Sequence, residues 1–265
     1  MTNDRIGAAF EAARADGRAA LMPYMMGGFP NAATADAVAD AYADAGADLV
    51  ELGIPYSDPL ADGPVIHAAG TRALAAGATL DSVLATCERI AARLPVVPMG
   101  YTNMILARGP ADFARRLADA GAAGAIVPDL PLEEGGEIAA ALRAAGLALI
   151  PLVAPTTPPE RRAPICAGAE GFVYLVSDTR TTGERDRLPP ALGELVAATK
   201  ADSAVPVAVG FGIGTPEQAA QVGAIADGVI VGTRLVRAVA ESADAAGAAR
   251  AVADFIAAAR AAMEA

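Results

Sequence analysis

The chain is short of the residue types on which several classes of active site depend. Its 265 residues include a single histidine, His67, and two cysteines, Cys87 and Cys166, that lie far apart without CxxC spacing. A serine–histidine pair or a zinc site with several histidines has little to build on, so we expect no metal and two reduced, buried thiols. The only lysine, Lys200, lies in a predicted helix rather than in a strand, which argues against a Schiff-base aldolase.

Long uncharged apolar runs are also missing. Although 54% of the residues are hydrophobic, no stretch reaches the roughly 18 apolar residues that a membrane helix needs. Residues 1–20 carry acids and arginines at helical spacing without the apolar run of a signal peptide, so we expect a cytoplasmic protein. The net charge of −11 argues against nucleic-acid and anionic-membrane partners.

What the chain does contain is an alternation of short β-rich runs with alanine-rich helical stretches. The runs lie at 21–26, 48–53, 95–100, 124–127, 147–153, 171–176, 205–210 and 226–231. Their nearly continuous apolar interiors are typical of parallel strands covered on both faces. An open dinucleotide-binding sheet would need GxGxxG after its first strand, which MMGGFPN does not supply. We therefore predict one α/β domain over 1–265, a (β/α)8 TIM barrel with an additional N-terminal helix over 3–16.

The second predicted strand and the loop after it carry three acidic residues that could serve a site: Glu51 in the strand, and Asp58 and Asp62 in the loop. Glu51 stands among apolar neighbours, where a carboxylate is costly unless it is paired or used, and where burial raises its pKa. It suits general acid–base catalysis, although pairing with an arginine at the strand end is an alternative. Asp58 and Asp62 follow among prolines and a glycine, and either could cap the helix that begins near Val65. We favour that structural role for Asp58.

Glycines mark the loops after the seventh and eighth predicted strands, where β/α barrels usually bind phosphate. They are Gly210, Gly212 and Gly214 in the first loop, and Gly232, followed by Thr233, in the second. Helices are predicted to begin at Thr215-Pro216 and at Gly232, so amide groups and helix dipoles would favour an anion there. The long polar loop after 171–176 is either a lid or an exposed connection.

Four motifs follow one another along the chain: ELGIPYSDPLADGP (51–64), PDLPLEE (128–134), VGFGI (209–213) and VGT (231–233). With these motifs the chain resembles the alpha subunit family of tryptophan synthase over essentially its full length. The resemblance implies a barrel with an extra N-terminal helix and a lyase that cleaves indole-3-glycerol phosphate to indole and glyceraldehyde 3-phosphate. It also implies no cofactor in this chain, and a beta subunit with pyridoxal phosphate as partner in an alpha2beta2 heterotetramer.

The resemblance further implies roles for individual residues. Glu51 and Asp62 match the catalytic carboxylates. The matching phosphate-binding residues are Gly183, Gly212, Gly232 and Thr233, and the matching pocket residues are Tyr24, Tyr101, Ile126, Tyr174, Thr182 and Phe211. The residues that match the surface facing the beta subunit are Pro55, Tyr56, Asp129 and Pro131. The sequence departs from the family at Arg180, where a glycine is common in the lid, and at Thr233, where serine is common.

Three other functions remain open from the sequence. A stand-alone indole-3-glycerol phosphate lyase would use the same residues and release free indole. Another phosphate-binding barrel, such as a phosphosugar isomerase, would keep the glycine loops. A non-catalytic allosteric partner would keep the phosphate site but would not need both Glu51 and Asp62.

Overall fold

The computed structural model describes residues 4–176, 191–210 and 212–265. Helices and strands alternate over these residues, as the apolar periodicity predicts. The strands are β1 (Ala20–Met26), β2 (Val50–Gly53), β3 (Val96–Met99), β4 (Gly124–Ile126), β5 (Ala148–Ile150), β6 (Leu152–Val153), β7 (Val173–Val176), β8 (Val207–Gly210) and β9 (Gly228–Val231). Six of the strands begin one or two residues later than the apolar runs that predict them: β2, β3, β5, β7, β8 and β9.

Twelve helices are present among the described residues. They are α1 (Arg5–Ala15), α2 (Ala32–Asp44), α3 (Pro64–Ala75), α4 (Leu80–Ala91), α5 (Thr102–Arg108), α6 (Pro110–Asp119), α7 (Gly136–Ala144), α8 (Pro159–Ala167), α9 (Leu192–Asp202), α10 (Pro216–Gly223), α11 (Thr233–Glu241) and α12 (Ala245–Glu264). In the described part of the chain, no helix is long and apolar enough to cross a membrane.

The strands form one parallel sheet in the order β5-β4-β3-β2-β1-β9-β8-β7-β6. Its two ends, β5 and β6, are consecutive in the chain, so the sheet curls round into the predicted TIM barrel. The prediction of one continuous strand over 147–153 is wrong, because Pro151 separates β5 from β6. Proline has no amide hydrogen to give to a neighbouring strand, which interrupts the ladder at that residue.

Side chains alternate between the inside of the barrel and the helical layer, because successive residues of a strand point to opposite faces. Along the second strand, Val50 and Leu52 pack with the outer helices, whereas Leu49 belongs to the cluster inside the barrel. Glu51 has the same parity as Leu49. The strand therefore directs the Glu51 carboxyl into the barrel and not towards the helices.

The additional helix α1 covers the N-terminal end of the barrel. Its buried side chains Ile6 and Phe10 join the interior cluster, and the Phe10 ring lies 5.7 Å from that of Phe172. Asp4 caps the helix by accepting a hydrogen bond from the Gly7 amide at 2.8 Å. With this end closed, the opposite rim is the open end of the barrel.

A buried ion pair ties the chain together near the start of β1. The Arg18 side chain is only 2% exposed and donates to both carboxylate oxygens of Asp48, at 2.6 and 2.9 Å. Asp48 also accepts from the Leu21 amide at 2.7 Å. The C-terminal helix joins the cluster, because Glu264 lies 3.5 Å from Arg18.

Replacing Asp48 with alanine is expected to lower the free energy of unfolding by about 3–5 kcal/mol, because it leaves a buried guanidinium without its main partner. Urea denaturation measures the loss. The control is Asp44→Ala, which removes an exposed carboxylate that lies 2.7 Å from Arg93 and should cost less than about 1 kcal/mol. Equal losses in the two variants would show that burial of the Arg18 pair contributes nothing.

Candidate active site

A cavity of about 300 Å³ opens at the rim formed by the C-terminal ends of the strands. The predicted site residues that line it are Tyr24, Glu51, Asp62, Ile126, Tyr174, Gly212, Gly232 and Thr233. The structure thus brings together residues that are as far apart in sequence as Tyr24 and Thr233. The predicted residues Thr182, Gly183 and Phe211, together with Arg180, lie outside the described residues.

Glu51 is the most deeply buried acidic group of the cavity. The residue is 2% exposed, and its Oε2 atom has no hydrogen-bond partner in the described structure. Burial, followed by the negative charge of Asp62, raises the pKa of this carboxyl from its ordinary value of 4.5 to about 8. Glu51 therefore holds a proton at neutral pH and has an oxygen free to exchange it, as a general acid–base requires.

Asp62 lies at the mouth of the cavity, in the loop between β2 and α3. Its Oδ1 accepts a hydrogen bond from the Tyr101 hydroxyl at 3.0 Å. Burial raises the pKa of the Asp62 carboxyl, whereas the hydrogen bond from Tyr101 and the nearby His67 lower it. The two carboxyl groups of the cavity thus have different surroundings, because Asp62 has a donor and Glu51 has none for Oε2.

Neither aspartate of this loop caps the following helix. Helix α3 begins at Pro64, and its N-cap is Gly63, which makes no side-chain capping bond. Asp58 instead accepts from the Ser57 hydroxyl at 2.7 Å on the surface. The expectation that Asp58 caps the helix is wrong, because the N-cap position is occupied by Gly63, which has no side chain, and Asp58 lies five residues before it.

Two buried tyrosines frame the carboxyl groups, and each lies over a glycine. A Cβ atom at Gly53 would collide with the Tyr24 hydroxyl, and one at Gly210 would collide with the Tyr174 hydroxyl. Tyr24 is also the direct partner of Glu51 in the pairing of β1 with β2. Glycine at the ends of β2 and β8 therefore makes room for the rings that form the walls of the site.

Only one of the two predicted helix N-termini is open to a ligand. Helix α10 begins as predicted, with Thr215 as N-cap and Pro216 in its first turn, but Gln218 accepts from the Gly214 amide at 2.7 Å and completes a capping box. Helix α11 has Gly232 as N-cap with no side-chain cap. The first amides of a helix have no acceptor within it, and Gly232 and Thr233, the N-cap and the first residue of α11, line the cavity.

The rest of the cavity is mainly apolar and was not predicted residue by residue. The additional lining residues are Leu60, Ala61, Ile66, Met99, Pro128, Leu152, Ala154, Thr156, Val176, Ile213 and Ile230. Met99 and Val176 are the last residues of β3 and β7, where the general rule for β/α barrels locates site residues, whereas Leu152 is the first residue of the short strand β6. No lysine or arginine is among the described lining residues.

The residues predicted to face a partner lie on neighbouring loops of the same rim. Pro55 is buried, Tyr56 is half-buried and Pro131 is exposed. Asp129 accepts from the amide and the hydroxyl of Thr102, both at 2.9 Å, so its Oδ1 is engaged within the chain.

Comparison with known proteins places these features in a family. The family model described as tryptophan synthase alpha chain matches residues 10–265. A protein of that name from Carboxydothermus hydrogenoformans is 50% identical over 234 residues, which is 88% of each chain. Another, from Prochlorococcus marinus, is 47% identical over 91% of this chain and 89% of its own. Among solved structures, tryptophan synthase from Mycobacterium tuberculosis superposes with a TM-score of 0.91 at 38% identity, covering 98% of both chains.

Proposed function

The chain belongs to the tryptophan synthase alpha chain family, and from that premise we propose that Glu51 and Asp62 carry out its reaction. Members of the family cleave indole-3-glycerol phosphate in tryptophan biosynthesis, as the alpha subunit of a complex with a beta chain. The chain is accordingly a lyase that catalyses this alpha reaction. The roles of the individual residues are the part that we propose.

The reaction breaks the bond between indole C3 and the glycerol chain. A proton must be added to C3, positive charge develops at the indole nitrogen, and the hydroxyl on the departing carbon loses its proton to become an aldehyde. Glu51 supplies the proton to C3 and takes up the hydroxyl proton, since a carboxyl with a pKa of about 8 does both near neutral pH. Protons balance over the cycle, so no metal or cofactor takes part in our scheme.

Asp62 has the complementary role in this proposal. Its carboxylate accepts the indole N–H and compensates the positive charge on the ring in the transition state. The apolar side chains of the cavity, such as Ile126 and Leu152, surround the indole ring. The phosphate lies at the opposite end, on the amides of Gly212, Gly232 and Thr233, where the dipole of α11 favours an anion although no described lining residue is basic. For Thr182, Gly183 and Phe211, which lie outside the described residues, we propose the roles that the resemblance implies.

One observation carries the assignment of the catalytic pair. Glu51, a buried carboxyl with an oxygen that has no partner among the described residues, and a second carboxyl, Asp62, line the same cavity. The test is an assay of the purified chain for indole released from indole-3-glycerol phosphate, with and without a beta chain. Slow release that the beta chain accelerates is the expected result. Full turnover without a beta chain would indicate a stand-alone lyase, and no release under either condition would contradict a catalytic role.

We further propose that the beta chain binds the rim formed by the loops after β2, β3 and β4. Large apolar side chains are exposed there: Leu60 at 79%, Leu106 at 56% and Leu132 at 49%. Exposed apolar side chains are found at protein interfaces. Tyr56 lies in the same loop as Leu60, and Asp129 and Pro131 lie in the same loop as Leu132. In this proposal the complex is a cytoplasmic alpha2beta2 heterotetramer, and the beta chain alone binds pyridoxal phosphate. The mass of the complex can be measured by sedimentation equilibrium.

A further inference from the structure

The hydroxyl of Tyr101 is engaged with the loop that carries Asp62. Tyr101 is 2% exposed and is the N-cap residue of α5. Its hydroxyl donates to Asp62 Oδ1 at 3.0 Å and accepts from the Ala61 amide at 3.1 Å. One oxygen atom therefore fixes both the carboxylate and the backbone immediately before it.

The Tyr101 ring is itself held from outside. The Tyr56 ring stacks on it, with 5.3 Å between the ring centroids and 28° between the planes. Asn103 donates to the Tyr56 hydroxyl at 2.9 Å. The next residue, Thr102, is bound through its amide to Asp129 at 2.9 Å. These contacts fix the Tyr101 ring, so little side-chain conformational entropy is lost when the Tyr101 hydroxyl orients the Asp62 carboxylate.

Several other titratable groups face Asp62 from the elements around it. In the described structure they are Glu51 on β2, His67 on α3, Tyr24 on β1 and Tyr174 on β7. Burial, and then the charge of Asp62, raises the pKa of the Tyr101 phenol, so it remains a donor over the working pH range. Tyr101 also donates a hydrogen bond to the Asp62 carboxylate, at 3.0 Å.

We propose that Tyr101 is the positioning residue of Asp62: its hydroxyl keeps that carboxylate ionised and aimed into the cavity. The inference rests on the proposed role of Asp62 at the indole nitrogen. It assigns Tyr101 a task different from that of a pocket wall, and Tyr101 is absent from the residues that line the cavity. Because a hydrogen bond to the charged form of a carboxyl lowers its pKa, loss of the hydroxyl raises the pH below which Asp62 is neutral.

The test is Tyr101→Phe, which keeps the ring and its stacking but removes the hydroxyl. We expect kcat for indole release to fall about tenfold at neutral pH, and the acidic limb of the kcat profile to move up by about one pH unit. KM for indole-3-glycerol phosphate should change little, because the phosphate contacts are at the other end of the cavity. The matched control is Tyr56→Phe, which keeps the stacked ring and should leave the acidic limb in place.

The inference would be overturned if the acidic limb of the kcat profile stayed in place in Tyr101→Phe. It would also be overturned if Tyr56→Phe shifted that limb as much as Tyr101→Phe does. The same substitution in an Asp62→Asn background separates this inference from the function on which it rests. If Asp62→Asn alone slows turnover and Tyr101→Phe adds no further pH shift, both stand. If Asp62→Asn has no effect, the proposed role of Asp62 fails first, whatever Tyr101→Phe does.

Discussion

Replacing Glu51 with glutamine is expected to reduce kcat for indole release by about 10²–10⁴-fold, the range over which general acid–base groups contribute. The amide has nearly the shape of the carboxyl but neither gives nor takes a proton at neutral pH. Binding of glycerol 3-phosphate, measured by calorimetry, should persist, since the α11 end of the cavity is unaltered. Near-normal turnover by Glu51→Gln would remove this residue from the mechanism.

The same variant has a distinctive dependence on pH. The pKa of Glu51 is about 8 in the folded chain and 4.5 ordinarily, so the folded chain binds this proton more tightly than the unfolded one. The stability that the proton contributes is complete below pH 4.5 and is lost as the pH rises towards 8. Glu51→Gln escapes the loss and should be more stable than the wild type by up to about 3 kcal/mol at pH 7.

Activity and stability therefore change in opposite directions at Glu51, as expected of a group that is strained by its surroundings for function. Urea denaturation at pH 5 and pH 8 measures the stability, and the alkaline limb of the wild-type kcat profile should fall near pH 8. Glu88→Gln, at an exposed position of α4, is the matched control and should alter neither quantity. A Glu51→Gln stability gain that does not grow with pH would contradict the raised pKa.

The sequence predicts the barrel well because its signal is local and repeated. Each parallel strand is a short apolar run, and each such run is followed by a helix, so eight weak indications agree. The signal fails at 147–153, where the apolar run is continuous but Pro151 lacks the amide hydrogen that a ladder needs. The apolar pattern also places the start of β2 too early, at Asp48. The Asp48 carboxylate lies 2.6 Å from Arg18, and an apolar pattern contains no information on a contact between residues 30 positions apart.

The site is predictable where one residue decides the chemistry, and less so where two distant residues do. Glu51 stands out in an apolar strand, and parity within that strand sends it inward. The partnership of Tyr101 with Asp62 spans 39 residues, and its spacing has no sequence signature. Helices α10 and α11 both follow glycine turns, but the capping box of Thr215 and Gln218 closes one of them. The capping box has the sequence signature T-x-x-Q, and this signature favours α11 over α10 as the helix that binds the anion.

Replacing Asp62 with asparagine is the second change with a large expected effect. We expect kcat to fall about 10²–10³-fold with little change in KM, because a neutral amide cannot compensate the charge that develops at the indole nitrogen. The amide oxygen still accepts from Tyr101, so the loop keeps its anchor at 3.0 Å. The acidic limb of the kcat profile should disappear, since the group that must be ionised no longer titrates.

Asp58→Asn is the matched control, because it makes the same chemical change in the same loop at an exposed residue whose carboxylate accepts from Ser57. It should retain wild-type turnover. The two variants separate two possible roles of the aspartates in this loop. If they serve the conformation of the loop, both variants should lose turnover. If Asp62 stabilises the transition state, only Asp62→Asn should lose it. If Asp62→Asn kept wild-type turnover, Glu51 would remain as the proposed acid–base group, and solvent would have to stabilise the positive charge at the indole nitrogen. That outcome would conflict with the position of the Asp62 side chain, which lines the cavity and accepts a hydrogen bond from the Tyr101 hydroxyl.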